Sequence, residues 1–199
     1  MQPMNTQEAL RLVLPVIEVL ERLGVTYRIG GSIASSYYGQ PRATQDVDLV
    51  ADIAMSQVPA LVGAFDPHDF VISDQAIIDA ILHRTSFNII ALGTMNKVDV
   101  FIEKTTALAR QEQQRARRAS LIPGTPPVWI SSVEDMVIEK MLWWRMGGGQ
   151  SSRQWADIIG LIQTNAGTLD RAYLQATSAM VQIDAEVRKA FLDASIPYP

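Results

Sequence analysis

Apolar positions along this chain follow two different periods. Ala9, Leu12, Val13, Val16, Ile17, Leu20 and Leu23 recur at three- and four-residue steps, which predicts a helix over 7–23 with Gly24 as its stop. A short strand is expected over 26–29, broken by Gly30-Gly31. Ser32 can then cap a helix running to about Tyr38, which Gly39 ends. Over 46–50 the period changes to two, so Val47 and Leu49 point one way and Asp46 and Asp48 the other. Helices are expected near 56–65 and 74–82. The stretches 86–92 and 97–102 read as strands of a hairpin joined through Gly93-Thr94-Met95-Asn96. In its second strand Val98, Val100 and Ile102 share one face; Lys97, Asp99 and Phe101 share the other.

Beyond 102 the pattern is helical. Residues 104–119 are polar, Arg-rich and helical in propensity, and a Pro/Gly-rich linker follows at 123–127. The segments 132–145, 151–164, 168–180 and 183–194 carry helical spacing, with breaks at Gly147-Gly148-Gly149 and Asn165-Ala166-Gly167. This predicts an α/β core over 1–122, then a helical region over 123–199 packed on it.

Composition narrows the classes. The chain has 199 residues, 48% apolar and 19% charged, enough for a sizeable core without staples. With no cysteine, neither a disulfide framework nor a thiolate nucleophile is possible. His68 and His83 have no zinc-ligand spacing. No signal peptide or membrane-spanning run is expected, and a cytoplasmic protein is the default reading. A net charge of -4 argues against a surface that coats nucleic acid, although a local basic face stays open.

The candidate chemistry lies in the acidic positions. Asp46 and Asp48 at i and i+2 on a strand can converge on one ion, and unpaired they would repel. A divalent metal relieves that repulsion with hard oxygen ligands. Asp99, in the otherwise apolar run Val98 to Ile102, must face solvent, meet a cation or bind metal. Asp79 is a weaker candidate, explained as the solvent side of a helix. Gly30-Gly31-Ser32 between strand and helix can receive an anion on backbone N–H groups, or can be a plain turn with a serine cap. Arg42 is placed to neutralise the carboxylates or touch a phosphate.

Ile29-Gly30-Gly31-Ser32, Asp46-Val47-Asp48 and Val98-Asp99-Val100 together resemble the DNA-polymerase-beta-like nucleotidyltransferase superfamily. The longer text from Gly30 through Tyr38-Gly39 and Arg42-Ala43-Thr44-Gln45-Asp46-Val47-Asp48-Leu49 is similar to its AbiEii-type toxin branch. The chain departs from that branch at Tyr38, where histidine is common. Ile130 to Lys140 is similar to the branch's serine-started helix, and Arg153 with Asp157 match its later pair.

The resemblance implies a nucleotidyltransferase-like mixed sheet with flanking helices, an α/β (α+β) fold followed by a helical C-terminal half. It implies Mg²⁺ or Mn²⁺ held by Asp46, Asp48 and Asp99, with an NTP whose triphosphate is gripped by Gly30, Gly31 and Ser32. Asp99 would also assist removal of the acceptor's proton. Lys140, Arg153 and Asp157 would serve the nucleotide, although a snorkelling lysine and an ordinary i,i+4 pair explain them without function. The acceptor hydroxyl is expected on an RNA 3′ end, with a protein side chain or a small molecule such as an aminoglycoside as the alternatives. A toxin role would add an antitoxin partner. Arg110, Gln114, Arg117 and Arg118 are expected on one helical face, with Lys104 and Arg115 nearby, either as RNA-phosphate contacts or as a solvated surface. Trp143, Trp144 and Trp155 read as packing residues. The competing class is a catalytically weak nucleotide-binding or partner-binding protein on the same fold.

Overall fold

The computed structural model describes residues 6–39, 43–44 and 46–198. Helix α1 (Thr6–Arg22) lays Ala9, Leu10, Val13, Val16, Ile17 and Leu20 into the core, so its periodicity is that of a helix covering one side of a sheet. The chain continues through β1 (Thr26–Ile29), α2 (Gly31–Tyr38), β2 (Asp46–Asp52), α3 (Val58–Val62), β3 (Phe70–Val71), α4 (Asp74–His83), β4 (Ser86–Ala91) and β5 (Asn96–Ile102). It then forms α5 (Ala107–Arg115), β6 (Arg117–Ala119) and β7 (Val128–Ile130), and ends with α6 (Val133–Met146), α7 (Ser152–Thr164), α8 (Arg171–Met180) and α9 (Asp184–Asp193).

The described strands make one mixed sheet in the order β3-β4-β5-β2-β1-β7-β6. β2 runs parallel to β5 and β1 parallel to β7, while the other neighbours are antiparallel. One face is apolar throughout: Tyr27, Ile29, Val47, Leu49, Phe87, Ile89, Val98 and Val100 are buried there with α1, α3 and α4. Each fully buried aliphatic side chain contributes about 1.5–3 kcal/mol, so this face fixes the register of every strand it includes. The opposite face carries the polar set. Beside Asp46, Asp48, Lys97 and Asp99 it holds Arg28, buried to 2% exposure and ion-paired with Glu103 and with Glu112 of α5.

The chain divides into two compact units. The first comprises 1–33 and 42–130 and contains the sheet; the second comprises 34–41 and 131–199. Strand β7, ending at Ile130, therefore belongs with the sheet. In the second unit Val133, Met136, Val137 and Met141 of α6 are buried with Ile158, Leu161 and Ile162 of α7 and Val187, Ala190 and Phe191 of α9. Buried Asp135 accepts hydrogen bonds from Ser132 and Tyr173, and Asn165 Nδ2 donates to the Tyr38 carbonyl. Among the described residues no helix is long and apolar enough to cross a membrane.

Two expectations need correction. The helix predicted over 104–119 ends at Arg115: Ala116 is extended, and 117–119 pair with β7 as an edge strand. Arg117 and Arg118 therefore do not share a helical face with Arg110. Trp143 is 57% exposed rather than packed, one position off the stripe from which Trp144 meets Trp155 at 4.7 Å between ring centroids.

Candidate active site

Strand alternation places the acidic side chains. In β2, Asp46 and Asp48 lie on one face while Val47 and Leu49 are fully buried on the other. The parallel register sets Asp46 against Lys97 and Asp48 directly against Asp99. Neighbouring strands lie about 4.8 Å apart, so Asp48 and Asp99 are as close as two backbones in a sheet allow. All four side chains stand on the same face.

The turn between β1 and α2 closes onto Asp48. Gly30 N–H donates to the Asp48 carbonyl at 3.0 Å, and the Ser32 N–H donates to its carboxylate. Gly31 has φ +53°, and a Cβ built there would lie 1.8 Å from Asp48 Oδ2. That position requires glycine twice over, once for its backbone angle and once for the space the carboxylate fills. The group that closely approaches the glycine pair in this structure is thus a protein carboxylate. Ser32 Oγ lies 2.6 Å from Thr44 Oγ1, which donates to the Asp46 carbonyl at 2.9 Å. Since Thr44 has one hydroxyl proton, Ser32 is the donor in the first of these bonds.

Burial pushes the Asp48 carboxyl up to about 6, with the negative charges of Asp46 and Asp99 adding to the effect; the Ser32 N–H and the Lys97 ammonium oppose it. Lys97 answers part of that charge. Its Nζ lies 2.8 Å from Asp99 Oδ1 and 2.6 Å from Oδ2, and 3.8 Å from Asp46 Oδ2. The hydrogen bond to Asp99 holds the ammonium above the ordinary lysine range despite partial burial.

Among the described residues no three His, Cys, Asp or Glu side chains are gathered tightly enough to hold an ion as they stand. The carboxylates of Asp99 and Asp46 are turned instead toward Lys97. The donor set nevertheless suits a divalent ion such as Mg²⁺ or Mn²⁺. It offers hard carboxylate oxygens on backbones fixed by one sheet, already oriented about a cation. Rotation of short aspartate side chains would bring them onto a metal without moving a strand.

The remaining predicted positions divide by location. Arg42 lies outside the described residues. Lys140 and Asp157, on α6 and α7 of the second unit, form an ion pair at 3.0 Å, and Arg153 on α7 is exposed. Asp79 is exposed and accepts from Gln75 at 2.9 Å, which fits the solvent side of α4. Sequence reasoning passed over Lys97 and Thr44 as site residues. The signal for Lys97 was its alternation with Asp99; nothing local marks Thr44 beyond its place two residues before Asp46.

No protein-family model and no curated protein matches the chain. Solved structures do. An antigenic nucleotidyltransferase-like protein from Paracoccidioides brasiliensis superposes with a TM-score of 0.57 at 24% identity, over 98% of this chain and 96% of its own. The antibiotic-resistance factor ANT(2'')-Ia superposes with a TM-score of 0.55 at 14% identity, over 92% of this chain and 97% of its own. At these identities the likeness concerns architecture. With the mixed sheet described above, it establishes that the chain has a nucleotidyltransferase-like fold.

Proposed function

We propose that this protein transfers a nucleoside monophosphate from an NTP to an acceptor hydroxyl. The observation that carries the reading is the register of β2 and β5, which sets Asp46, Asp48 and Asp99 on one sheet face beside the strand–Gly-Gly-Ser–helix turn. A binding scaffold gains little from like charges held this close, and the Asp48 carboxyl is raised by its burial first and by the charges of Asp46 and Asp99 second.

Asp46, Asp48 and Asp99 would hold Mg²⁺ or Mn²⁺, which when bound neutralises triphosphate charge and acidifies the attacking hydroxyl. The turn at Gly30, Gly31 and Ser32 receives the triphosphate. What it offers is the Ser32 N–H, released once Asp48 turns away from it, and the Ser32 hydroxyl, released once it leaves Thr44. The acceptor oxygen bonds to the α-phosphorus while the bond from that phosphorus to the bridging oxygen breaks, releasing pyrophosphate. The hydroxyl proton passes to Asp99 and on to water.

For the acceptor, a small hydroxylic molecule has better support than an RNA 3′ end. The predicted basic helix face is divided between α5 and β6, Arg118 is paired with Glu21 at 3.0 Å, and Arg110 donates to the Thr105 carbonyl. The architectural likeness to an antibiotic-resistance factor points the same way.

The test incubates purified protein with Mg²⁺ and each labelled NTP against three acceptor pools: small hydroxylic compounds, protein and total RNA. Label should move to the small-molecule pool, and Asp48→Ala or Asp99→Ala should lower the rate by about 10²–10³-fold or more while leaving the fold intact. Label on RNA would reverse the acceptor assignment. No transfer to any pool, from protein shown to bind Mg-NTP, would leave the nucleotide-binding alternative standing.

A further inference from the structure

Lys97 occupies a peculiar position for a residue two places from a candidate metal ligand. Its ammonium engages both carboxylate oxygens of Asp99, at 2.8 and 2.6 Å, and reaches to 3.8 Å from Asp46 Oδ2. Mg²⁺ binds carboxylate oxygens at about 2.0–2.1 Å. The ammonium, held at both oxygens of Asp99, fills the chelating position between them, and a divalent ion placed there would overlap and repel it. We propose that Lys97 is a cation-exchange residue: it neutralises the carboxylates of the metal-free protein, opposes metal binding alone, and is drawn off when metal arrives with an anionic nucleotide.

Three observations support the exchange. The β2–β5 register places Lys97 opposite Asp46 and on the same face as Asp99, so the fold keeps the ammonium within reach of both carboxylates. The side chain is 29% exposed, open enough to swing, whereas Asp99 at 14% is more confined. The head group is an ammonium on a flexible four-carbon stem, able to exchange a carboxylate for a phosphate oxygen as a point charge. An NTP brings several negative charges to this face, so the displaced ammonium has a new partner as it loses the old one. Metal and nucleotide should then each strengthen the binding of the other by the same factor.

This inference rests on the nucleotidyl-transfer reading, and the experiment separates the two. Mn²⁺ is titrated calorimetrically into the parent, Lys97→Met and Lys97→Gln proteins, with and without a non-hydrolysable NTP analogue. Thermal midpoints are recorded for each state. Without nucleotide, both variants should bind Mn²⁺ about tenfold more tightly than the parent, the effect expected for removing a half-buried pair. Their metal-free midpoints should fall and be restored by Mn²⁺, and the factor by which nucleotide strengthens Mn²⁺ binding should shrink. A lysine that merely supported the fold would loosen Mn²⁺ binding when replaced, so the sign discriminates. If both variants bind Mn²⁺ no more tightly than the parent, while all three bind it with nucleotide, the exchange role is overturned and the transfer reading stands. If no protein binds Mn²⁺ even with nucleotide, both fall.

Discussion

Burial between Gly31 and two neighbouring aspartates holds the Asp48 carboxyl at about 6, against an ordinary value of 3.8. Well below pH 3.8 the group is neutral in both folded and unfolded chains and costs nothing. As pH rises, the unfolded chain loses its proton first, so metal-free protein should lose stability up to about pH 6 and little more from this group beyond. A shift of this size corresponds to about 1–3 kcal/mol. Asp48→Asn should remove that slope, leaving metal-free protein about 1–2 kcal/mol more stable than the parent at pH 7.5. It should also abolish stabilisation by Mg²⁺. Urea denaturation of parent and variant at pH 5 and 8, with and without Mg²⁺, measures both. A parent protein whose stability relative to the variant does not change with pH would refute the strained carboxylate. At this scale the alternation of Asp46, Asp48, Lys97 and Asp99 was legible from period two alone. Which cation they meet was not, because Lys97 faces Asp46 only through a pairing between strands far apart in sequence.

Elements repeat the division between local and non-local signals. Helix α1, the β4–β5 hairpin and β2 each announce themselves by a sustained period, and all appear within a few residues of their expected bounds. Strands β3, β6 and β7 are two or three residues long, too short for any period to register. β6 also follows an Arg-rich run whose propensity is helical, and only its ladder to β7 makes it a strand. The β1–α2 turn is the element most dependent on one residue. Gly31→Ala forces a Cβ into the Asp48 carboxylate at a positive φ, which should destabilise the protein by about 1–3 kcal/mol. More tellingly, it should change Mn²⁺ binding, because Asp48 must leave the position it holds in the metal-free protein. A glycine that served only a phosphate would leave binding of metal without nucleotide unchanged in that variant, and calorimetric titration decides between them.

For the whole molecule, a net charge of -4 limits what long-range electrostatics can do. If the acceptor is small and hydroxylic, its apparent affinity should vary little between 50 and 200 mM salt, whereas an RNA held through several phosphates would weaken by orders of magnitude. Initial rates at varied acceptor and salt read this directly, and a steep slope would return the assignment to RNA. The paired register of β2 and β5 also has a bearing on how errors appear. Sliding β5 by one residue would carry both Val98 and Val100 onto the open face and drive Asp99 among Val47, Leu49 and Ile89. A charge stranded there is expensive enough to forbid the slipped form. Core and chemistry are thus checked by one alignment. Misaligned copies should not persist as folded but idle protein, and a preparation that is folded should be uniformly competent.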